Sequence, residues 1–567
     1  MESNVSQQHN QNMRLPFETT CRPLMAYGLA ILIGLLFFAA LFPLSFLLGQ
    51  GAYFEQADAA QHVSGWLLFA ADRWRLPLLL TQRVDSPTGV PIFLTDSIPL
   101  VALLLKPFYG LLPDGFHYFG IWHLIIRIGQ AVGGVYLIRG LGCRSLFAAL
   151  AAALFFLCWP ANLFRLGHTA LATHALLLVA LAFYVRARLY GWRTSRTHLA
   201  FAVLDATALL THPYLGIVVL AVHVAFAIDR AWLERKPLEG LGYLAATSGG
   251  LALLLWPLGY FANTIRSSGG FAHYSMNLLS PLCGSDFAPC TLMDATGGQY
   301  EGMNALGLGT FVLLPFALFV SRRRLLPMIG SAPGLMLVML GLTAYALSNI
   351  IWFGPAIVGH YKVPHLLIPL IDIFRVSGRF FWLVGYGILA FGLAALLLEK
   401  RTWAKLLILA ALIVQWADTT SFRNAIREQT SAPALYDFED WKTAFPDLRH
   451  IDIYPAYRCD TSIPDAPYAF LQLLAARVGA TINTSYVARP SSRCGAGDRG
   501  GTGRLPADNL FVALNGETTH RPALISKAIA DGLCRNVAVR DQTLLMCSND
   551  PRVNWAALGP AVQPVLP

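Results

Sequence analysis

Charge is scarce in this chain of 567 residues: Asp, Glu, Lys and Arg make up 13%, against 55% hydrophobic residues. Mean hydropathy is correspondingly high, at +0.52. That balance excludes an ordinary soluble globular protein, in which charged residues are about twice as frequent. Paired C-x-x-C motifs are absent, which removes the usual structural zinc site. The glycine-rich stretch 498–503 has no Lys-Ser/Thr behind it, so it reads as a flexible loop rather than a phosphate cradle. No internal repeat is visible.

What is present is a series of long apolar runs over the first three quarters, several near the ~20 residues that cross a bilayer as a helix. The formal charge of +10 does not mark a nucleic-acid face, because the basic residues fall in short loops between the runs. Arg139 and Arg144 come first, then Arg186, Arg188, Arg193 and Arg196. Arg230, Arg235 and Lys236 follow, then Arg322, Arg323 and Arg324, and finally Lys400, Arg401 and Lys405. Every second loop is basic, the positive-inside pattern of a polytopic membrane protein. Placing those loops inside gives spans at 25–49, 118–138, 146–164, 170–185, 199–211 and 214–228, then 241–261, 306–320, 332–352, 380–397 and 406–417. The expected fold is therefore an α-helical polytopic membrane protein of about eleven spans with an outer C-terminal domain. The first run is too long for a cleaved signal peptide and reads as a retained anchor.

Domain expectations follow. Residues 1–24 form an inner tail, 25–420 the membrane domain with a first outer loop at 50–117, and 421–567 an outer α/β domain. In that loop, 63–74 sets Trp66, Leu67, Phe69 and Trp74 against Asp72, Arg73 and Arg75, the pattern of an interfacial helix. Residues 97–112 read as a second interfacial or re-entrant helix. In the tail, 450–454 and 509–514 alternate like strands, whereas 466–478 and 521–532 have helical periodicity. Six of nine cysteines fall outside, an even set on the oxidising side. The expected pairs are Cys283 with Cys290, Cys459 with Cys494, and Cys534 with Cys547 around a hairpin.

Polar groups near the membrane gather on the outer side. Asp58 and His62 are four apart after the first span, and Asp96 precedes the second interfacial helix. Arg165 and His168 follow the third span, His212 the fifth, and Tyr300 and Glu301 precede the eighth. Lys362 follows the ninth, and Arg375 and Arg379, four apart at the start of the tenth, suit a two-arginine clamp on phosphate. His123, Arg127 and Gln130 form a polar stripe in the second span, which is either functional or a buried pairing between helices.

The acidic residue after span one, the elaborated first outer loop, the basic inner loops and the outer tail together resemble the GT-C class of integral-membrane glycosyltransferases. That class includes protein O-mannosyltransferases and the bacterial aminoarabinose transferases that modify lipid A. More narrowly, the segments 58–66, 87–99, 300–307 and 374–379 resemble a bacterial membrane-protein family without settled activity. The resemblance covers roughly residues 25–420, and Asp58 is its most specific element. No Asp-Asp or Glu-Asp pair stands at that position, which speaks against a two-carboxylate metal site.

The resemblance implies an enzyme of the bacterial inner membrane that moves a sugar from polyprenyl phosphate to an envelope acceptor on the periplasmic face. It implies Asp58 as general base of a single inverting displacement. His62, Asp96, Arg165, His168, His212, Tyr300, Glu301, Lys362, Arg375 and Arg379 would contact the substrates. No cofactor and no metal are expected, although Glu301 and Asp96 leave a divalent ion open. The partners are membrane lipid, the lipid-linked donor and a glycan, glycolipid or protein acceptor. The rival reading is a transporter or flippase of a lipid-linked sugar or anionic solute. A third makes the tail the active part, but it offers no evident nucleophile–base set.

Overall fold

Proline sets the start of many of the helices. Pro23, Pro99, Pro213, Pro237 and Pro333 each occupy the first turn of one, where a missing N–H costs no hydrogen bond. The computed structural model describes residues 22–262, 269–287, 294–487, 489, 494, 505–514 and 523–565. It is mostly helical up to residue 431, and a sheet follows in the C-terminal part.

Each of the eleven expected spans overlaps a helix, although 332–352 leaves Pro333–Leu347 to end in the strand Ile350–Phe353 and 25–49 breaks after Leu41. Among the described residues, five helices are long and apolar enough to cross a membrane alone: Pro23–Leu41, Phe119–Gly140, Pro213–Leu233, Pro237–Leu258 and Ser377–Leu397. A sixth results if Thr402–Ala417 and Thr420–Ser431, bent by 45°, count as one. The expected count of about eleven is therefore not reached on length and composition. Leu146–Leu157 illustrates the reason: its 12 residues rise about 18 Å, against roughly 30 Å of hydrocarbon.

The first outer loop departs further from expectation. Its main helix, Ala57–Ala70, is not an interfacial helix with one wet face. Residues 59–70 are all buried, Trp66 and Phe69 completely. The cause is the C-terminal domain, whose helix Ala466–Val478 packs along it. Gln472 on that helix donates to Ser64 Oγ at 2.9 Å. Further along the contact, Arg83 donates to the Gly479 carbonyl at 2.8 Å and Lys442 to Asp114 at 2.7 Å. The second expected helix runs over Pro99–Leu105 and continues as a 3₁₀ turn to Leu111.

The C-terminal domain carries a six-stranded sheet. His450–Tyr454 lies between Asn509–Ala513 and Thr481–Ile482, parallel to both. Gln542–Cys547, Cys534–Val539 and Val562–Pro564 continue the sheet antiparallel beyond Asn509–Ala513. Disulfides join Cys534 to Cys547, which face each other across the hairpin, and Cys459 to Cys494. Cys283 is disulfide-bonded, and its expected partner Cys290 lies outside the described residues, as does the 498–503 loop.

Candidate functional site

Eight of the polar residues singled out above converge at the junction of the membrane helices, the first loop and the C-terminal domain. Asp58 stands in the first turn of Ala57–Ala70. His168 Nε2 lies 3.3 Å from Asp58 Oδ2 and 3.7 Å from Glu301 Oε1. Glu301 in turn holds two guanidinium groups. Arg165 Nη1 reaches its Oε2 at 2.5 Å, and Arg379 reaches the same oxygen through Nη2 at 3.0 Å. Arg165 also donates to the Glu301 carbonyl at 2.6 Å. All three side chains of this ion cluster are buried. On the other flank, His212 Nε2 lies 3.4 Å from Asp96 Oδ1. His62 is buried nearby with neither ring nitrogen paired, close enough for Asp96, Asp58, His168 and His212 to act on it.

Backbone packing explains how distant segments meet here. Gly302 and Gly378 lie back to back: a Cβ on Gly378 would sit 2.4 Å from Gly302 Cα. Asn304 ties the two strands of chain together by donating to both glycine carbonyls, at 2.8 and 2.9 Å. Only this close approach sets Glu301 against Arg379, one residue away on each side. Gly65 plays the same part for Asp96, since a Cβ there would lie 2.2 Å from Thr95 Oγ1. Ala57, Asp96 and Ile98 adopt left-handed φ of 48°, 52° and 48°. Such backbone costs about 1–3 kcal/mol per non-glycine residue and concentrates at functional sites.

Electrostatics separate the acids. The Asp58 side chain is 40% exposed, yet the protein around it removes enough water to raise its pKa. Asp96 and Glu301 push it further up, while His62 and a hydrogen bond from Tyr486 oppose the rise. Burial acts the same way on Glu301, but Arg379, Arg165 and His168 outweigh it and hold that carboxyl well below the usual range. Asp96 is likewise held low, burial being overcome by His212, His62 and His168. Burial pushes His168 down to about 4, so it is neutral at pH 7. The site thus sets a solvent-reachable carboxylate of raised pKa beside a permanently ionised Glu–Arg–Arg cluster.

Other candidates stand apart. The stripe in the second span is a helix-pairing network: Arg127 donates to Asn162, Gln130 to Tyr386, and His123 meets Thr169. Arg375 does not pair with Arg379 as expected, because the helix begins at Ser377 and the two are not on one helical face. Arg375 lies over the Tyr274 ring instead, and Arg165 takes its place beside Arg379. Lys362 is exposed after the hairpin of Ile350–Phe353 and Ala356–His360. Tyr300 is 46% exposed, with its carbonyl 3.5 Å from Arg165. Two cavities of about 280 Å³ lie in the C-terminal domain, and no residue of the cluster lines them. Among the described residues, no three His, Cys, Asp or Glu are grouped to hold a metal ion.

Sequence reasoning missed Tyr486 and Gln472. Tyr486 lies 428 positions away and donates to Asp58 Oδ1 at 3.3 Å. Gln472 fixes its backbone by accepting from Tyr486 N at 2.8 Å. Neither residue is charged, and Gln472 lies inside the apolar helix Ala466–Val478, so nothing in the one-dimensional pattern flags them.

No curated protein matches the chain. Residues 31–420 match the family model "Domain of unknown function (DUF6311)", and residues 440–548 match "DUF6311 C-terminal domain". The two matched segments correspond to the helical part and the sheet domain that meet at Asp58, and the chain belongs to the DUF6311 family.

Proposed function

We propose that this protein is an integral-membrane glycosyltransferase of the bacterial inner membrane, taking a sugar from a polyprenyl-phosphate donor and passing it to an envelope acceptor on the periplasmic face. The observation that carries the reading is the placement of Asp58, water-reachable and of raised pKa, next to a buried pair of arginines. In this reading the short apolar helices complete about eleven crossings with the basic loops in the cytoplasm.

The chemistry is a single displacement. Asp58 takes the proton of an acceptor hydroxyl, whose oxygen forms the new bond to the anomeric carbon. The bond from that carbon to the phosphate oxygen breaks, and polyprenyl phosphate leaves with the electron pair. Configuration inverts. Arg165 and Arg379 act where charge grows on the departing phosphate, and Glu301 holds them in place. A guanidinium pair oriented before the reaction needs no reorganisation during it. His168, neutral at pH 7, orients Asp58 without cancelling its charge.

The test uses proteoliposomes loaded with a radiolabelled polyprenyl-phosphate sugar and an envelope-glycan acceptor. Transfer of label to acceptor, without net movement of the donor between leaflets, is the expected result. Movement of the lipid without transfer would favour the transporter instead.

A further inference from the structure

A second titratable cluster lies within the membrane helices, apart from the Asp58 site. His223 Nδ1 is 2.8 Å from Asp205 Oδ2, and its Nε2 is 2.7 Å from His198 Nδ1. All three side chains are buried, at 0–2% exposure. They come from two neighbouring helices, Thr194–Thr211 and Pro213–Leu233. Aromatic rings keep the imidazoles in line: Phe201 stacks on His223 at 4.8 Å and Tyr243 on His198 at 4.4 Å. Both ends of the chain are buried and unpaired, since His198 Nε2 and Asp205 Oδ1 have no hydrogen-bond partner.

A purely structural clamp has no use for two unpaired buried ends, each of which has given up its water without gaining a partner. It also has no need of a carboxylate buried between apolar helices, where ionisable side chains are expensive and mark proton or ion pathways. The geometry has direction too. His198 lies one turn inside the helix that follows the basic loop of Arg193, and Arg230 and Glu239 are the charges that act on it. Asp205 lies seven residues further along, about 10 Å deeper.

We infer that His198, His223 and Asp205 form a proton relay from the basic-loop face of the protein to a carboxylate inside the membrane domain. The step balances. A proton from water binds His198 Nε2, the Nδ1 proton of His198 passes to His223 Nε2, and the Nδ1 proton of His223 passes to Asp205 Oδ2. One proton enters, none is lost, and both imidazoles end neutral in the opposite tautomer with every hydrogen bond remade. The chain goes from one negative charge to none, so burial favours the loaded state. Asp205 Oδ1 is the open point for onward release. The titratable and charged groups facing the relay are Tyr243, Arg230 and Glu239.

The test uses the full-length protein in phospholipid vesicles and dicyclohexylcarbodiimide, an apolar reagent that attacks only protonated carboxyls. Adducts on Asp205 are followed by peptide mass spectrometry after a jump to lower pH, with buried Asp229 as internal comparison. The expected result is labelling at Asp205 that follows the jump in the wild type and is lost over the same interval in His198→Gln. Glutamine keeps a hydrogen bond to His223 but cannot pass a proton, and thermal unfolding of the variant verifies that it folds. Should it not fold, Tyr243→Phe with His223→Gln gives the same comparison from the middle of the chain. The inference is overturned if Asp205 stays unlabelled at every pH, or if labelling in the glutamine variants follows the jump as in the wild type. Neither outcome depends on whether sugar transfer occurs.

Discussion

Asp58 and Glu301 are both carboxylates in one cluster, and their opposite shifts give opposite signatures. Asp58 has a raised pKa, so the folded protein binds its proton more tightly than the unfolded chain does. Stability from this group is therefore lost as pH rises through the window between the two values, and above it the ionised group costs stability. Asp58→Asn is expected to leave thermal stability in detergent at pH 7 unchanged or slightly higher, while activity falls. The rate of the native protein should fall on its acid side at a pH above the ordinary aspartate value of ~4. Tyr486→Phe removes a hydrogen bond that favours the ionised form. It should move that limb to higher pH, which a pH–rate profile reads directly. Glu301 behaves in the reverse way: its depressed pKa contributes stability above the ordinary carboxyl range that is lost as pH falls through the folded value. Glu301→Gln leaves two buried guanidinium groups uncompensated, a loss of about 3–5 kcal/mol readable as a lower unfolding temperature. Asp58, Glu301, Arg165 and Arg379 were legible in the sequence because charge is rare among apolar runs. Tyr486 was not, because a tyrosine in a soluble domain is unremarkable until the fold brings it to Asp58.

At the scale of elements, two short 3₁₀ turns, Gln299–Gly302 and Ser377–Phe381, meet backbone to backbone in the site. Gly302 and Gly378 make that contact possible. Gly378→Ala puts a methyl carbon against backbone that cannot swing aside, which costs roughly 1–3 kcal/mol and separates Arg379 from Glu301. The expected outcome is a lower unfolding temperature together with a drop in activity, and Gly330→Ala, which meets open space, serves as the comparison. Apolar periodicity marked where helices lie, because hydrophobic runs fix helices locally. It read 63–74 as interfacial because an apolar stripe looks the same whether it meets lipid or protein, and residues 63–70 are buried against protein. The Ala466–Val478 helix that covers it is remote in sequence. Helix length was also hidden, since breaks such as that between Leu146–Leu157 and Pro160–Leu163 divide continuous apolar stretches.

At the scale of the whole molecule, the C-terminal domain is part of the site rather than an appendage. Gln472 links Ser64 of the first loop to the backbone of Tyr486, and Tyr486 reaches Asp58. Its strands His450–Tyr454 and Asn509–Ala513 and its helices Ala466–Val478 and Ala523–Ala530 were readable from alternation and periodicity, whereas the short edge strands Thr481–Ile482 and Val562–Pro564 were not. Its docking was not, because the contacts join segments some 330–430 residues apart, and nothing in the sequence pairs Gln472 with Ser64 or Lys442 with Asp114. In the proposed reaction this assembly has one role: the carboxylate at the rim deprotonates an acceptor while the paired arginines receive a departing phosphate. The most direct test is the single-turnover rate of sugar transfer from polyprenyl phosphate by Asp58→Asn against the wild type, both verified as folded. The expected result is a loss of about 10²–10⁴-fold, the contribution of a positioned base. Wild-type turnover in the variant would contradict it.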